Sequence, residues 1–391
     1  MDKKPEKLVP EVRFKGFTDD WEQRKLGEIS KRVRNNDGRM NLPLLTISAR
    51  YGWMTQQSRF SASIAGREKK NYTLLKKHQL SYNHGNSKVA NYGTVYELTD
   101  YDEALVPKVY HSFSLTSENS SKFIESYFHT KKLDAQLRKF IASTARMDGL
   151  LNISFDDFMK VKLFAPERCE QSKISRIINL IEKLITLQQR KLEQLKQLKK
   201  AMLQYLLTTE KKSAPLIRNK NYNNKWDTTT FSKLLNYERP ENYIVTNTNY
   251  RKNGIPVLTA NKSFILGYTN ESNVYNKGEA IIFDDFTLEN KFVNFPFMIK
   301  SSAIKILTSK VNYSLYFIFQ LLQHTKFIKE GHARHYISVV QKQTVRIPPS
   351  YEEQESISDT FSRIQSLIKL QQNKIDQYTT LKKYLLQKIF I

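Results

Sequence analysis

From Glu170 onward the apolar positions fall at Ile174, Ile178, Ile181, Ile185, Leu192, Leu195, Leu198, Met202 and Leu206, in steps of three and four with one break around Gln188. That spacing gathers one apolar stripe on a helix, and no glycine or proline interrupts it. A helix of about 38 residues at 1.5 Å each extends about 57 Å, far beyond an average globular helix. A second segment of the same kind follows Pro349, where Ser350 and Glu353 have capping-box spacing. Elsewhere, short β-branched runs such as residues 44–47 and 280–283 predict strands between Asn, Gly and Asp turns. Helical spacing also covers residues 121–142 and 313–329.

The two long segments are copies. Glu170-Gln171, Ile174, Ile181, Leu184, Leu187-Gln188-Gln189, Lys191 and Leu198-Lys199-Lys200 recur 183 positions later as Glu353-Gln354, Ile357, Ile364, Leu367, Leu370-Gln371-Gln372, Lys374 and Leu381-Lys382-Lys383. The regions before them also share their ends. Pro10, Arg13, Lys15, Phe17 and Trp21 recur at an offset of 205 as Pro215, Arg218, Lys220, Tyr222 and Trp226. Pro43 to Thr46 echoes Pro256 to Thr259, and residues 153–163 echo 337–347. Between these ends the copies diverge.

A repeat fixes architecture before any single residue is interpreted. The first long helix carries the chain far from the first globular region, and only a short linker, around residues 208–225, precedes the second. The second helix must therefore return. The expected fold is mixed α/β: two globular α/β domains separated by two long antiparallel coiled-coil helices, with an internal pseudo-two-fold. The boundaries read as 1–166 for the first domain, 167–212 for the first helix and linker, 213–349 for the second domain, and 350–391 for the second helix.

Charge adds a partner. The chain has 63 Lys and Arg against 38 Asp and Glu, a net +25. Residues 1–166 carry 28 basic and 19 acidic groups, and residues 213–349 carry 18 and 9, so both globular regions are basic. A polyanion is the expected ligand, and nucleic acid is favoured over membrane because no basic amphipathic anchor or lipidation signal is visible. No apolar run is long enough to cross a bilayer. A single cysteine, Cys169, and a polar N-terminus without a signal peptide point to a reducing, cytoplasmic setting.

The search for catalytic chemistry is negative. Neither a phosphate-binding G-x-x-x-x-G-K-[ST] loop nor G-x-G-x-x-G occurs, so no cofactor is expected on this chain. His332 and His335 lack further ligands nearby, and Arg334 between them opposes a cation. Asn294-Phe-Pro-Phe297 resembles the base-gripping loop of amino-methyltransferases but reads better as a core strand. Asp284, Asp285, Glu289 and Lys291 resemble a nuclease cluster, yet Asp284 matches Asn83 of the first copy and reads as a strand-end turn.

Candidate DNA contacts are the basic and amide groups of the loops. In the first copy these are Arg32, Arg34, Asn35, Arg39, Lys69, Lys70, Asn83, Asn86, Lys88 and Arg146; in the second, Lys252, Asn261, Lys262, Lys291 and Arg334. Lys and Arg attract phosphate, while Arg and Asn can pair bidentately with guanine and adenine edges. Helix packing and partner docking fall to Ile174, Ile181, Leu184, Leu192, Leu195, Leu198, Ile357, Ile364, Leu367, Ile375, Leu381 and Leu385.

The repeated opening of Pro, Arg, an aromatic and Trp, a divergent basic domain, then Pro followed by Glu-Gln and a long helix resembles the specificity subunit of type I restriction-modification systems. That resemblance implies two target-recognition domains, each reading one half of a bipartite double-stranded DNA site, with the helices as a ruler. It implies two methyltransferase subunits and two restriction-translocase subunits as partners, with S-adenosylmethionine, ATP and Mg²⁺ bound by those partners. Trp21 and Trp226 correspond to core residues at the start of each domain. A coiled-coil DNA-binding regulator or chromosome-organising protein is the competing class, though a homodimeric regulator needs only one copy of the repeat.

Overall fold

The computed structural model describes residues 8–60, 66–85, 87–142, 150–208, 212–260, 263–328 and 334–391. The chain divides into two compact units, one of residues 1–188 with 374–391 and one of residues 189–373. Each pairs a sheet-rich domain with parts of two long helices, Arg168–Leu206 and Tyr351–Lys388.

In the first unit a four-stranded antiparallel sheet runs in the order Ser30–Val33, His111–Leu115, Leu80–Asn83, Thr94–Glu97. Helix Ser121–His129 packs on this sheet, and its N-cap Ser120 accepts from the Phe123 N–H. A short antiparallel ladder joins Glu22–Lys25 to Lys162–Ala165, tying the start of the domain to its end. Leu45–Ser48 and Gly52–Thr55 form a hairpin whose Leu45 and Ile47 pack in a core cluster with Leu75 and Val106.

The second unit repeats the plan. Its sheet runs Leu235–Glu238, Ile304–Ser309, Ala280–Asp284, Asn290–Val293, the same order with the same antiparallel pairings. Asp227–Thr230 pairs with Thr344–Ile347, and helix Leu315–His324 takes the place of Ser121–His129, again with a serine N-cap, Ser314. The expected helices at 121–142 and 313–329 are thus shorter, the first breaking before Asp134–Phe140.

Each core is completed by the far end of a long helix. In the first unit Leu386, Ile389 and Phe390 join Trp21, Phe123, Tyr127, Ile174 and Ile178. Phe390 meets the rings of Trp21, Phe123 and Tyr127 at centroid distances of 6.4, 5.1 and 5.3 Å. In the second unit Met202, Leu203, Leu206 and Leu207 join Trp226, Phe231, Phe317, Ile357 and Phe361. The late residues of one helix lie with the early residues of the other in both units, so both pairings are antiparallel.

Candidate nucleic-acid interface and helix junctions

The repeated Glu-Gln pairs sit where each domain meets its helix. The Glu170 carboxylate takes Arg13 through Nε at 2.8 Å and Nη2 at 2.7 Å, and Glu353 takes Arg218 at 2.7 and 2.8 Å. Glu353 also accepts from the Trp226 indole at 3.2 Å. Both arginines are held above their usual range by the hydrogen-bonded carboxylate, against a smaller opposing effect of burial. The neighbouring glutamine is a second clamp. Gln171 accepts from the Ser120 N–H at 3.0 Å and donates to the Pro166 carbonyl at 2.9 Å. Gln354 does the same with Ser314 at 3.0 Å and Pro348 at 3.1 Å. The cap hydroxyls then meet the long helices, Ser120 with Ser175 at 2.8 Å and Ser314 with Ser358 at 3.0 Å. Each domain is therefore fixed to its helix by a set of buried and partly buried hydrogen-bonded polar groups.

Several loop candidates are charged and reach the surface. Arg34, Lys70, Lys88, Lys252 and Arg334 are exposed, and Lys69 and Lys291 are partly so. Asn35 sits at a φ of 66°, a left-handed turn position that asparagine tolerates, with its side chain exposed. Arg32 is exposed on its strand and lies over the Phe155 ring at 4.0 Å. Arg334 lies 5.9 Å from the Phe286 ring.

Two candidates are bonded to groups of their own domain. Arg39 is paired with Asp37 at 2.7 Å and Glu103 at 2.5 Å, and these bonds raise its pKa and hold both carboxyls below their usual range. Asn83 donates to the Ile47 carbonyl and accepts from the Gly85 N–H, both at 3.0 Å, so it shapes a turn with the amide a base edge would need. Asn86, Arg146, Asn261 and Lys262 lie outside the described residues.

The carboxylate cluster around Asp284 is a turn, as expected. Asp284 accepts from the Phe286 and Thr287 N–H groups at 3.0 and 2.8 Å, while Asp285 is buried against Lys305 at 3.7 Å and the Tyr336 N–H at 2.7 Å. Phe297 of the Asn294 segment is core, stacked on Tyr275 at 4.8 Å.

The apolar stripe of the long helices splits in two. Ile174, Ile181, Leu192, Ile357, Ile364 and Ile375 are buried, and Leu195 and Leu385 are half-buried. Leu184, Leu198, Leu367 and Leu381 are exposed at 38 to 50%, so these four do not pack in the seam. Leu187 and Leu370 are exposed beside them. A repeat read in steps of three and four drifts around a 3.6-residue helix, and one stripe on paper becomes an inner row and an outer one.

A charged network is the feature the sequence reading missed. In the first unit Lys122 bridges Glu125 at 2.6 Å and Glu182 at 2.5 Å, and Lys382 reaches Glu182 at 2.8 Å. Burial opposes the charge of Glu182, but the two lysines more than offset it and hold its carboxyl below the usual range. Glu125, His129 and Glu182 lie close enough to share a metal ion, yet the lysines already neutralise the carboxylates and His129 Nε2 is bonded to the Val95 carbonyl at 3.0 Å. At the repeat position of Glu182 stands Gln365, which binds Lys199 at 2.8 Å in the second unit. Glu182/Gln365 is one of many mismatches between the two helices, so register alone did not single it out.

Residues 211–379 match the family model described as the type I restriction modification DNA specificity domain. The specificity subunit of the type I restriction enzymes EcoR124I/EcoR124II of Escherichia coli is 41% identical over 126 residues, a stretch that spans 30% of this chain and 31% of that relative. Among solved structures, the type I restriction-modification S subunit from M. genitalium has a TM-score of 0.68 at 12% identity, covering 98% of this chain and 99% of that one. A chain from a structure of type I restriction-modification complex assembly and conformational transition has a TM-score of 0.51 at 13% identity, covering 99% of each. These two share the fold.

Proposed function

Because residues 211–379 belong to the type I restriction modification DNA specificity domain family, we propose that the whole chain is the DNA-reading subunit of such a system. The observation that carries this to residues 1–188 is the repeat: the first unit has the same strand order, the same serine-capped helix and the same Glu-Gln clamp as the second. Each domain reads one half of a bipartite double-stranded DNA site through the basic loops, and the long helices set the unread spacer between halves. The chain itself is non-catalytic and works in the cytoplasm.

Methyltransferase subunits dock on the outer leucines, Leu184, Leu187 and Leu381 in one unit and Leu198, Leu367 and Leu370 in the other. Two such sites support two methyltransferase subunits per chain, with two restriction subunits completing the endonuclease. S-adenosylmethionine, ATP and Mg²⁺ belong to those partners.

Co-expression with a methyltransferase partner, followed by mapping of methylated bases across the host genome, tests the assignment. One bipartite motif with a fixed spacer is expected. Methylation without any motif, or purified chain that methylates DNA alone, overturns it.

A further inference from the structure

The hairpin of Leu45–Ser48 and Gly52–Thr55 ends in Ala49-Arg50-Tyr51, and its tip is held from several directions. At the base, the Ile47 carbonyl accepts from Asn83 at 3.0 Å and from the Arg59 guanidinium at 2.6 Å, while the Ile47 N–H donates to the Tyr110 hydroxyl at 3.2 Å. At the tip, the Tyr96 hydroxyl donates to the Ala49 carbonyl at 3.3 Å, and the Trp53 indole donates to the Glu97 carbonyl at 3.0 Å. Gly52 closes the turn at a φ of 72°, where an added Cβ would meet the Tyr96 ring at 3.1 Å. This bracing presents Tyr51, a residue that is 69% exposed and whose ring centroid lies 5.6 Å from the Arg50 guanidinium. Among the described residues, no core cluster includes the ring. Arg50, Arg59 and Lys88 are exposed on the hairpin and on the segments that follow it and Asn83.

We propose that this hairpin tip is a specificity-determining probe of double-stranded DNA, with Tyr51 packing against bases in a groove and Arg50 on the adjacent phosphate. The inference deepens the DNA-reading function proposed above and rests on it. A rigid aromatic tip has little ordering entropy left to lose on binding, and a side chain wedged at a base step senses how easily that step deforms. Positive charge around it matches the phosphate backbone.

The test uses the full chain assembled with its methyltransferase partner and a duplex bearing the motif found in the host genome. Tyr51→Ala should weaken binding to that duplex at least about fivefold, the lower end for one base–aromatic contact, and should narrow the gap to a scrambled duplex. Tyr51→Phe should bind like the unsubstituted chain, since the ring and not the hydroxyl makes the contact. Arg50→Ala should lower the slope of log affinity against log salt by about one. Unchanged thermal unfolding in all three follows from the exposure of both side chains. Tyr51→Ala with full affinity and discrimination overturns the probe. No preference for the motif in the unsubstituted complex overturns the DNA-reading function itself, and the probe with it.

Discussion

Glu170 and Arg13 are 157 residues apart and meet side by side, Nε to Oε1 at 2.8 Å and Nη2 to Oε2 at 2.7 Å. The same pair recurs as Glu353 and Arg218. Glu170→Ala should cost about 3 kcal/mol, because it leaves a mostly buried guanidinium without its carboxylate. Hydrogen exchange should show the loss in the first unit. Glu353→Ala should cost at least as much in the second, since the Trp226 indole loses its acceptor too.

Phe390, the last residue but one, is 2% exposed and packs in the first core. Phe390→Ala should destabilise the first unit by about 3 to 5 kcal/mol, as core phenylalanine truncations do. Hydrogen exchange should localise the effect to residues 8–188. Exchange that rises only near residue 390 would show that the helix end is not part of that core.

How far the sequence disclosed this arrangement follows from what periodicity encodes. It disclosed the two long helices, the repeated Glu-Gln and the paired tryptophans, because 3.6-residue spacing and register survive in a linear string. Leu207, just past the end of the first long helix, is core, and periodicity does not encode it, because which distant surface a helix end covers is a tertiary fact. Loop chemistry was the least legible. Arg39 and Asn83 look like reading residues by type, but Asp37, Glu103 and the backbone of Ile47 and Gly85 already hold them.

His129 gives the first unit a pH dependence. Burial holds its imidazole below the ordinary value, so the folded chain keeps it neutral while the unfolded chain takes up a proton. The stability this contributes is complete above about pH 6.5 and is lost as pH falls below it, at no more than about 1.4 kcal/mol per pH unit. Unfolding of the first unit measured between pH 7.5 and 5.5 should show that slope. His129→Gln, the residue the second copy carries as Gln323, should flatten it.

Leu184 and Leu187 lie on the outer face of the first long helix, where a charge costs the fold little. The double substitution to Asp should leave thermal unfolding unchanged and weaken capture of the methyltransferase subunit at least about tenfold, as loss of an interface anchor does. Native mass spectrometry should then show one methyltransferase bound, against an expected two for the unsubstituted chain. Two bound at full affinity would place the docking surface elsewhere.

The central claim is that each domain reads its own half of the site. Replacing residues 213–349 with the matching region of another such protein, and mapping methylated bases in a host carrying the hybrid, tests it most directly. The half-site read by residues 1–166 should stay as it is, and the other should change completely to that of the donor. A hybrid in which both half-sites change would contradict the account.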